Sequence, residues 1–227
     1  MSLLFNEKKL ISIKNSTKKN FLILNDQKKI IGNLVPIRTS QLNNVGLIDT
    51  ILEWRKKFNR LFPTRKLINR KTTYNFIKQS YIDELNSILF LIYTKNRELI
   101  GHVGLMKLDQ ESFELVNLIR GAKGGDRKLI YFAEITALNF GFNVGIKSGC
   151  FVELMSYNWM VKDLHESIGF IKKTSYPLKK IVVPDSTIHE RVNENDKNVQ
   201  YTIDKYFMAR KKFFSLNKMQ KLSKLIY

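Results

Sequence analysis

The chain has 227 residues, of which 44% are hydrophobic and 26% are charged. This length fits one large domain with extensions, and the apolar fraction is sufficient to fill a core. With 11 Gly, 4 Pro and 11% aromatic residues, the composition excludes the collagen-like, proline-rich and disordered classes. We therefore expect a folded globular protein.

The charge is strongly unbalanced, with 39 Lys and Arg against 20 Asp and Glu and a net charge of +19. A field of this sign favours partners that carry phosphate, such as nucleic acid, an anionic membrane or a phosphorylated small molecule. Clusters of lysine with interleaved aromatic residues, which are typical of a nucleic-acid groove, are not evident in the sequence. We therefore expect no nucleic-acid partner.

Targeting and metal signals are weak. No stretch approaches about 20 apolar residues, and the start of the chain, Met1–Leu10, has no apolar segment of the secretory kind. Cys150 is the single cysteine, and the three histidines, His102, His165 and His189, are scattered. We expect a cytoplasmic protein with no metal site, no internal disulfide and no integral membrane association.

The first half of the chain alternates short β-branched runs with two helical patterns. Apolar residues from Asn43 to Phe62 recur at helical spacing until Pro63, and a second helix is expected over Lys71–Tyr81. Strands are expected at Leu10–Ile13, Phe21–Leu24, Ile30–Ile37, Ile88–Tyr93, Glu98–Leu108 and Phe113–Ile119. The last three predict an antiparallel meander.

The second half continues with the order strand, turn, helix. A glycine-rich segment, Arg120–Gly125, precedes an apolar helical pattern over Leu129–Phe140. A strand at Gly149–Leu154, a helix at Asn158–Ser167 stopped by Gly169, and one or two strands from Phe170 to Val183 on either side of Pro177 complete the pattern. This order predicts an α/β (α+β) fold with a mixed, largely antiparallel central sheet flanked by helices.

The C-terminal region, residues 186–227, differs in composition, because basic but no acidic residues follow Asp204. Its apolar residues lie loosely at helical spacing, namely Ile203, Phe207, Phe214, Met219, Leu222 and Ile226. They predict a helix that packs on its own domain or on a partner subunit, or else lies on a membrane surface. The chain is accordingly divided into an N-terminal strand extension (1–32), a main domain (33–185) and a basic, partly helical extension (186–227).

The turn Arg120–Gly125 is the first candidate for chemistry. A glycine-rich turn between a strand and a helix presents backbone N–H groups at a helix N-terminus, which suits phosphate oxygens. No Gly-Lys-Ser/Thr follows, and Gly121, Gly124 and Gly125 do not have the spacing of a dinucleotide fingerprint. The alternative is a set of ordinary loop glycines.

A second motif follows downstream. Val152 and Leu154 precede Asn158, and His165 and the pair Gly169-Phe170 follow it. This arrangement resembles the Gcn5-related N-acetyltransferase (GNAT) superfamily, whose pattern is L-x-V-x-x-x-N, usually a Tyr seven residues on, and then Gly-Phe. The resemblance covers residues 33–183 and implies the GNAT fold and an N-acyltransferase that uses acyl-CoA.

The resemblance also assigns the residues that bind CoA. Arg120–Gly125 lies where the family has its R/Q-x-x-G-x-G/A pyrophosphate turn, and the backbone from Asn117 to Ile119 is expected to pair with the pantetheine arm and to hold the thioester carbonyl. Lys123 stands at a family glycine, so either the turn has a one-residue insertion or Lys123 faces the phosphates. The implied CoA-binding residues are Leu118, Ile119, Arg120, Gly121, Ala122, Lys123, Gly124, Gly125 and Asn158.

Acyl transfer to an amine also requires a base and a proton for the departing thiolate. His102, on a strand beside the presumed acyl site, is the first candidate for the base, with Glu114 and Glu153 as alternatives. A hydrogen-bonded core histidine is the other interpretation of His102. His165 takes the place of the family's Tyr acid, and it is either that acid or a structural residue beneath the CoA tail.

Two further segments bear on the class of acceptor. Ile51–Arg55 and Ile100–Leu105 look like elements of the branch that acetylates ribosomal proteins or acylates nucleotide-linked amino sugars. The resemblance implies Trp54 and Arg55 in substrate binding, although Trp54 also suits helix packing. Glu134 either contacts substrate or caps a solvent-facing side. We expect a homodimer that acylates a nucleotide-linked amino-deoxy sugar, with a protein N-acetyltransferase or a basic RNA- or membrane-binding module as the alternatives.

Overall fold

The computed structural model describes residues 7–16, 19–144, 148–184, 186–193, 195–197 and 199–216. One ten-stranded sheet forms its centre, in the order β1-β2-β4-β5-β6-β7-β10-β8-β9-β3. Its strands are β1 (Phe21–Leu24), β2 (Ile30–Pro36), β3 (Thr64–Lys66), β4 (Ile88–Thr94), β5 (Leu99–Met106), β6 (Ser112–Arg120), β7 (Gly149–Met155), β8 (Ile171–Val183), β9 (Ser186–Arg191) and β10 (Tyr201–Ala209). The predicted mixed, largely antiparallel sheet flanked by helices is confirmed.

In the described part of the chain, six α-helices accompany the sheet: α1 (Glu7–Asn15), α2 (Val45–Phe58), α3 (Arg70–Ile77), α4 (Leu129–Asn143), α5 (Trp159–Ile168) and α6 (Arg210–Leu216). A π-helical turn, Lys78–Ile82, continues α3. The helix α5 ends where Gly169 adopts φ +112°, a left-handed conformation that glycine enters without steric cost. This stop was predicted from the sequence.

Within the described residues, apolar cores cover both faces of the sheet. The α4 face carries Phe90, Val103 and Leu115, which pack with Phe132 of α4. The α2 face carries Leu89 and Leu91, which pack with Ile51 of α2 and Tyr81 of the π-helical turn. Side chains alternate between the faces along a regular strand, so the register assigns each residue outside the bulges to one of them.

Two predicted elements are wrong. Leu10 and Ile13 belong to helix α1, where their spacing of three residues points both into the core. Ile203 and Phe207, predicted in a helix, lie in strand β10, which forms antiparallel ladders with β7 on one side and β8 on the other. A spacing of four residues fits one face of a strand as well as one face of a helix, so the pattern alone was ambiguous.

The remainder of the predicted C-terminal helix is only partly described. Helix α6 begins at Arg210, directly after β10, and Phe213 is buried in the α4-face core. Met219, Leu222 and Ile226 lie outside the described residues. The division of the chain at residues 32 and 185 stays a prediction, although a single sheet includes strands from all three regions. Over the described ranges, no helix has the length and hydropathy needed to cross a bilayer.

Candidate active site

The sheet opens between its two central parallel strands. β6 has nine residues and β7 has seven, yet they pair only from Ser112 to Glu114 and from Gly149 to Phe151. Beyond this point β6 stays with β5, and β7 stays with β10. The two inner edges therefore offer backbone N–H and C=O groups to an extended ligand in a gap that connects the two faces.

A bulge in β6 borders this gap. The ladder with β5 changes register between His102, which is opposite Ile119, and Gly104, which is opposite Val116. Asn117 lies within the bulge and adopts φ +52°, a left-handed conformation that Asn tolerates better than most residues.

Buried groups hold the bulge in place. The Asn117 side chain donates from Nδ2 to the Tyr81 hydroxyl over 2.6 Å, and the Asn117 carbonyl oxygen lies 2.7 Å from Nδ1 of His102. Gly104 leaves room for this contact, because a Cβ at that position would lie 2.6 Å from the Tyr81 hydroxyl. No sequence motif marks Tyr81, which was predicted only as the last residue of a helix.

His102 lies on the α2 face, opposite Leu91 of β4, and is 1% exposed. Burial lowers the pKa of His102 to about 4, and the charge of Arg55 adds to this effect, while the bond to Asn117 opposes it. Because the carbonyl of Asn117 accepts from Nδ1–H, Nε2 of the neutral ring carries a lone pair. Nε2 is buried and has no hydrogen-bond partner among the described residues.

Trp54 and Arg55 of α2 lie close to this histidine. The indole of Trp54 is 6.1 Å from the His102 ring, centroid to centroid, and it covers Gly121, where a Cβ would lie 2.0 Å from an indole carbon. Arg55 donates to Oγ1 of Thr73 over 3.1 Å, and its guanidinium carbon lies 4.2 Å from the centroid of the Phe76 ring. The structure thus brings Trp54, Arg55, His102 and Asn117 together.

The glycine-rich turn follows β6 directly and leads into α4. Its first two amides, those of Gly121 and Ala122, donate to the carbonyl of Ile100 over 2.8 and 3.1 Å, so they are occupied within the protein. Arg120 donates to the carbonyl of Gly124 over 2.9 Å. Within the described chain, the amides of residues 123–126 have no partner.

The shape and charge of the turn suit an anion. Gly124 and Gly125 have φ of +130° and +68°, so glycine at these positions avoids strain. Lys123 and Arg127 are exposed. Leu118 and Ile119 form the last part of β6 before this turn.

The remaining predicted residues lie on the α4 face. Nδ1 of His165 in α5 lies 2.6 Å from Oε1 of Glu134 in α4, and the two side chains are 3% and 0% exposed. The alternative in which Glu134 caps a solvent-facing side is therefore wrong, and its contact with substrate stays a prediction. Asn158 precedes α5, and its amide donates to the carbonyl of Met155 over 2.8 Å. His165 and His102 lie on opposite faces of the sheet.

A polar cluster continues the α2 face across β7 and the C-terminal strands. Glu153 accepts from Arg191 over 2.6 Å, and the guanidinium of Arg191 lies 4.0 Å from the centroid of the Tyr176 ring. Nδ1 of His189 is 2.6 Å from the carbonyl oxygen of Pro63, and its ring is 5.0 Å from that of Tyr201. Sequence reasoning missed this cluster, apart from Glu153, because β10 was predicted as a helix.

The two glutamates considered as alternative bases also lie on the α2 face. Glu114 is opposite Phe151 at the last pair before the gap and forms an ion pair of 3.0 Å with Lys107. Glu153 pairs with Arg191 and, at 3.9 Å, with Lys205. Both carboxylates are therefore occupied. The described residues contain no group of three or more His, Cys, Asp or Glu side chains arranged to hold a metal ion.

In sequence, no family model and no curated protein matches the chain. In structure, a GCN5-related N-acetyltransferase from Brucella melitensis aligns with a TM-score of 0.62 and 13% identity, over 92% of this chain and 87% of that one. The chain has the GNAT fold. The fold is therefore shared with a protein that is only 13% identical in sequence.

Two further GNAT structures share the fold. A spermidine N-acetyltransferase from Vibrio cholerae, in complex with CoA and spermine, aligns with a TM-score of 0.59 and 12% identity over 80% of this chain and 96% of that one. FdhC, a nucleotide-linked sugar GNAT, aligns with a TM-score of 0.56 and 17% identity over 86% of this chain and 95% of that one. Their different acceptors mean that the GNAT fold alone does not specify an acceptor.

Proposed function

We propose that the protein is an acyl-CoA-dependent N-acyltransferase that acts on the amino group of a nucleotide-linked amino-deoxy sugar. One observation carries this proposal: the gap between β6 and β7, bordered by the bulge at Asn117, leads directly into the glycine-rich turn before α4. A thioester arm and its phosphates would find complementary groups along one continuous path.

The residues present fit acyl-CoA. The amides and carbonyls on the inner edge of β6 match the amide groups of an extended pantetheine arm. The amides of residues 123–126, with Lys123 and Arg127 beside them, match a pyrophosphate at the start of α4. The Vibrio cholerae enzyme with the same fold was crystallised with CoA.

The two faces of the sheet separate the two reactants. A CoA that follows the turn and α4 carries its thioester into the gap from the α4 face, and the acceptor amine approaches from the α2 face. There Nε2 of neutral His102 accepts the proton that the attacking amine loses. Backbone N–H groups near the bulge stabilise the charge that develops on the carbonyl oxygen.

Charge supports an anionic acceptor. The protein has a net charge of +19, and Arg191, stacked on Tyr176 on the acceptor face, offers an aromatic and cationic surface of the kind that binds a nucleotide. The spermine that the Vibrio cholerae enzyme binds is a polycation, which a basic surface repels. FdhC, which has the same fold, is a nucleotide-linked sugar GNAT.

The test is a panel assay of thiol release. The protein is incubated with acetyl-CoA and, in turn, nucleotide-linked amino sugars, spermidine and lysine-containing peptides, and we expect turnover with an amino sugar nucleotide. Arg191→Ala should raise KM for that acceptor about tenfold at unchanged KM for acetyl-CoA, while Lys8→Ala on the exposed side of α1 changes neither.

The outcomes separate the two parts of the proposal. Turnover only with spermidine or peptides contradicts the acceptor. CoA at 100 times its Kd stabilises a fold by about 2.7 kcal/mol, so the absence of any thermal shift at millimolar CoA contradicts the enzyme itself.

A further inference from the structure

The segment between α2 and β3, residues 59–63, connects the two sides of the gap. Helix α2 packs on β4, whereas β3 pairs with β9. In the sheet, β4, β5 and β6 lie on one side of the gap, and β7, β10, β8, β9 and β3 lie on the other. Residues 59–63 therefore carry the chain from one side to the other, and we call them the bridge.

The bridge crosses at the open end of the gap. β6 and β7 are parallel and pair only at their N-terminal ends, so the C-terminal ends of both strands lie where the gap is open. At the end of β6, the indole of Trp54 covers Gly121. At the end of β7, the hydroxyl of Tyr157 donates to the carbonyl of Arg60 over 2.5 Å. The chain from Trp54 to Arg60 thus joins the ends of the two strands that border the gap.

The far end of the bridge is held by His189. The carbonyl oxygen of Pro63 accepts two hydrogen bonds from this residue, one from its backbone N–H over 3.2 Å and one from Nδ1–H over 2.6 Å. His189 is 7% exposed, and its buried Nε2 has no hydrogen-bond partner among the described residues. An imidazole with an unsatisfied buried nitrogen is less favourable than an apolar side chain of similar size. Packing alone therefore does not account for a histidine at this position.

The two anchors of the bridge, Tyr157 and His189, are continuous with the surface proposed to bind the nucleotide. The ring of Tyr201 lies 6.0 Å from that of Tyr157 and 5.0 Å from that of His189, centroid to centroid. On β9, Arg191 is two residues from His189, so both side chains lie on the same face. The guanidinium of Arg191 reaches Glu153 of β7, the strand that borders the gap. An acceptor that extends from this guanidinium to the candidate base therefore passes the bridge.

We propose that His189 and Tyr157 are positioning residues that hold the bridge as one wall of the acceptor-binding site. This rests on the proposed function. Because both anchors fix the bridge before the acceptor arrives, binding does not have to order it. A nucleotide-linked sugar that spans the α2 face contacts this wall, whereas acetyl-CoA enters from the α4 face and does not meet it. The anchors thus act on the affinity for one substrate only.

The kinetic test compares two substitutions at His189. His189→Leu removes the Nδ1 donor at similar volume, whereas His189→Asn places an amide N–H close to the position of Nδ1. With a nucleotide-linked amino sugar, His189→Leu should raise KM for the acceptor about tenfold at nearly unchanged kcat and KM for acetyl-CoA. His189→Asn should restore KM for the acceptor to within about threefold of the wild-type value. A general loss of structure would instead lower kcat and change both KM values.

Limited digestion with trypsin tests the anchors without any substrate. Arg60 is exposed, and the peptide bond after it contains the carbonyl that Tyr157 holds. Cleavage there requires local opening of the bridge, so Tyr157→Phe and His189→Leu should each raise its rate about tenfold. Cleavage after Lys28, in the exposed turn between β1 and β2, is the internal reference. Tyr93→Phe, which removes a hydroxyl from β4 on the same face, is the matched control and should change neither rate.

Tyr157→Phe also serves if His189→Leu does not fold, because it removes one hydroxyl from a side chain that is 38% exposed. It should raise KM for the acceptor about threefold or more. A wild-type rate of cleavage after Arg60 in Tyr157→Phe would overturn the proposal, since the anchor would not hold the bridge. A wild-type KM for the acceptor in a variant whose bridge is cleaved faster would overturn it as well, since the bridge would be no part of the acceptor site.

The two experiments also separate this proposal from the proposed function. If the wild-type enzyme turns over no nucleotide-linked sugar, the proposed acceptor is wrong, and the role of the bridge in binding that acceptor is wrong with it. The digestion still decides whether Tyr157 and His189 hold the bridge. If the wild-type enzyme does turn over such a sugar and the variants bind it equally well, only the role of the bridge is contradicted.

Discussion

Asn117 in the bulge of β6 is bonded through its side chain to Tyr81, which comes from the π-helical turn after α3. The bond joins the irregular part of the central sheet to the α2-face core. Since the carbonyl of Asn117 is also bonded to His102, one residue connects the bulge, the candidate base and the helical layer. The geometry of the candidate site thus depends on packing at some distance from the gap.

Tyr81→Phe tests this connection. The change leaves the half-buried Nδ2 of Asn117 without its acceptor, so the free energy of unfolding should fall by about 1 kcal/mol. The rate of thiol release should fall as well, because φ +52° at Asn117 is less firmly held. Tyr74→Phe, on α3 in the same core, is the matched control in urea denaturation. Equal stability of the two variants would show that the hydroxyl of Tyr81 contributes nothing.

The low pKa of His102 predicts acid sensitivity. Its value is about 4 in the folded protein and 6.5 as the ordinary value, so the unfolded chain binds more protons between these limits. The free energy of unfolding should therefore fall as the pH decreases from 6.5 to 4, by about 3 kcal/mol from this group. Below pH 4, His102 is protonated in both the folded and the unfolded protein, so the free energy of unfolding no longer changes with pH because of this group.

His102→Gln isolates that contribution, since Gln does not titrate. Denaturation of both proteins from pH 4 to 7 should give a difference that narrows towards low pH. Parallel curves would contradict the assignment. The same pKa predicts that His102 produces no acid limb in the activity profile between pH 6 and 8.

The phosphate turn predicts a charge-dependent affinity for CoA. Lys123→Ala combined with Arg127→Ala removes two exposed cations beside the partnerless amides of residues 123–126. The Kd of CoA measured by calorimetry should rise about tenfold at low salt. It should rise less at 0.5 M salt, because salt screens the attraction between CoA and the cations of both the wild-type protein and the variant. Lys8→Ala with Lys211→Ala removes the same charge from α1 and α6 and serves as the control. An equal rise in both double variants would indicate only an effect of net charge.

The position of strand β10 between β7 and β8 leads us to expect that a C-terminal truncation destabilises the fold. A chain that ends at Gln200 lacks the strand that bonds to β7 on one side and β8 on the other. It should lose cooperative thermal unfolding in circular dichroism, because Tyr206 and Met208 are core residues. A truncated chain that melts cooperatively near the temperature of the full chain would show that β10 is dispensable.

The fold was predictable where local pattern and burial agree. Helix α2, helix α4 and the meander β4 to β6 have long apolar periods that tertiary contacts reinforce. Leu10–Ile13 and Tyr201–Ala209 are short, and their patterns suit both a helix and a strand. Tyr201–Ala209 forms a strand because it bonds to β7 and β8, and a local pattern cannot reveal these ladders.

Residues of the candidate site could be predicted from the sequence only where they belong to a recognisable motif. His102, Trp54 and Asn117, each assigned to the site from a motif or a resemblance, lie together in the structure, and their roles stay predictions. Tyr81 and His189 were missed, because each acts through a contact with a residue distant in sequence. The burial of Glu134 was also missed, since helix α4 is buried on nearly all sides and its periodicity does not distinguish an inner from an outer face.

The order of strands has a consequence for biosynthesis. β8 precedes β10 in sequence, yet β10 lies between β7 and β8 in the sheet. While a ribosome has released the chain only as far as β9, the edge of β7 that faces away from the gap lacks β10, the neighbour to which it bonds in the folded protein. Non-local pairing of this kind is slow and exposes strand edges to other chains. The β7 side of the gap therefore gains its supporting neighbour only after β10 has been synthesised.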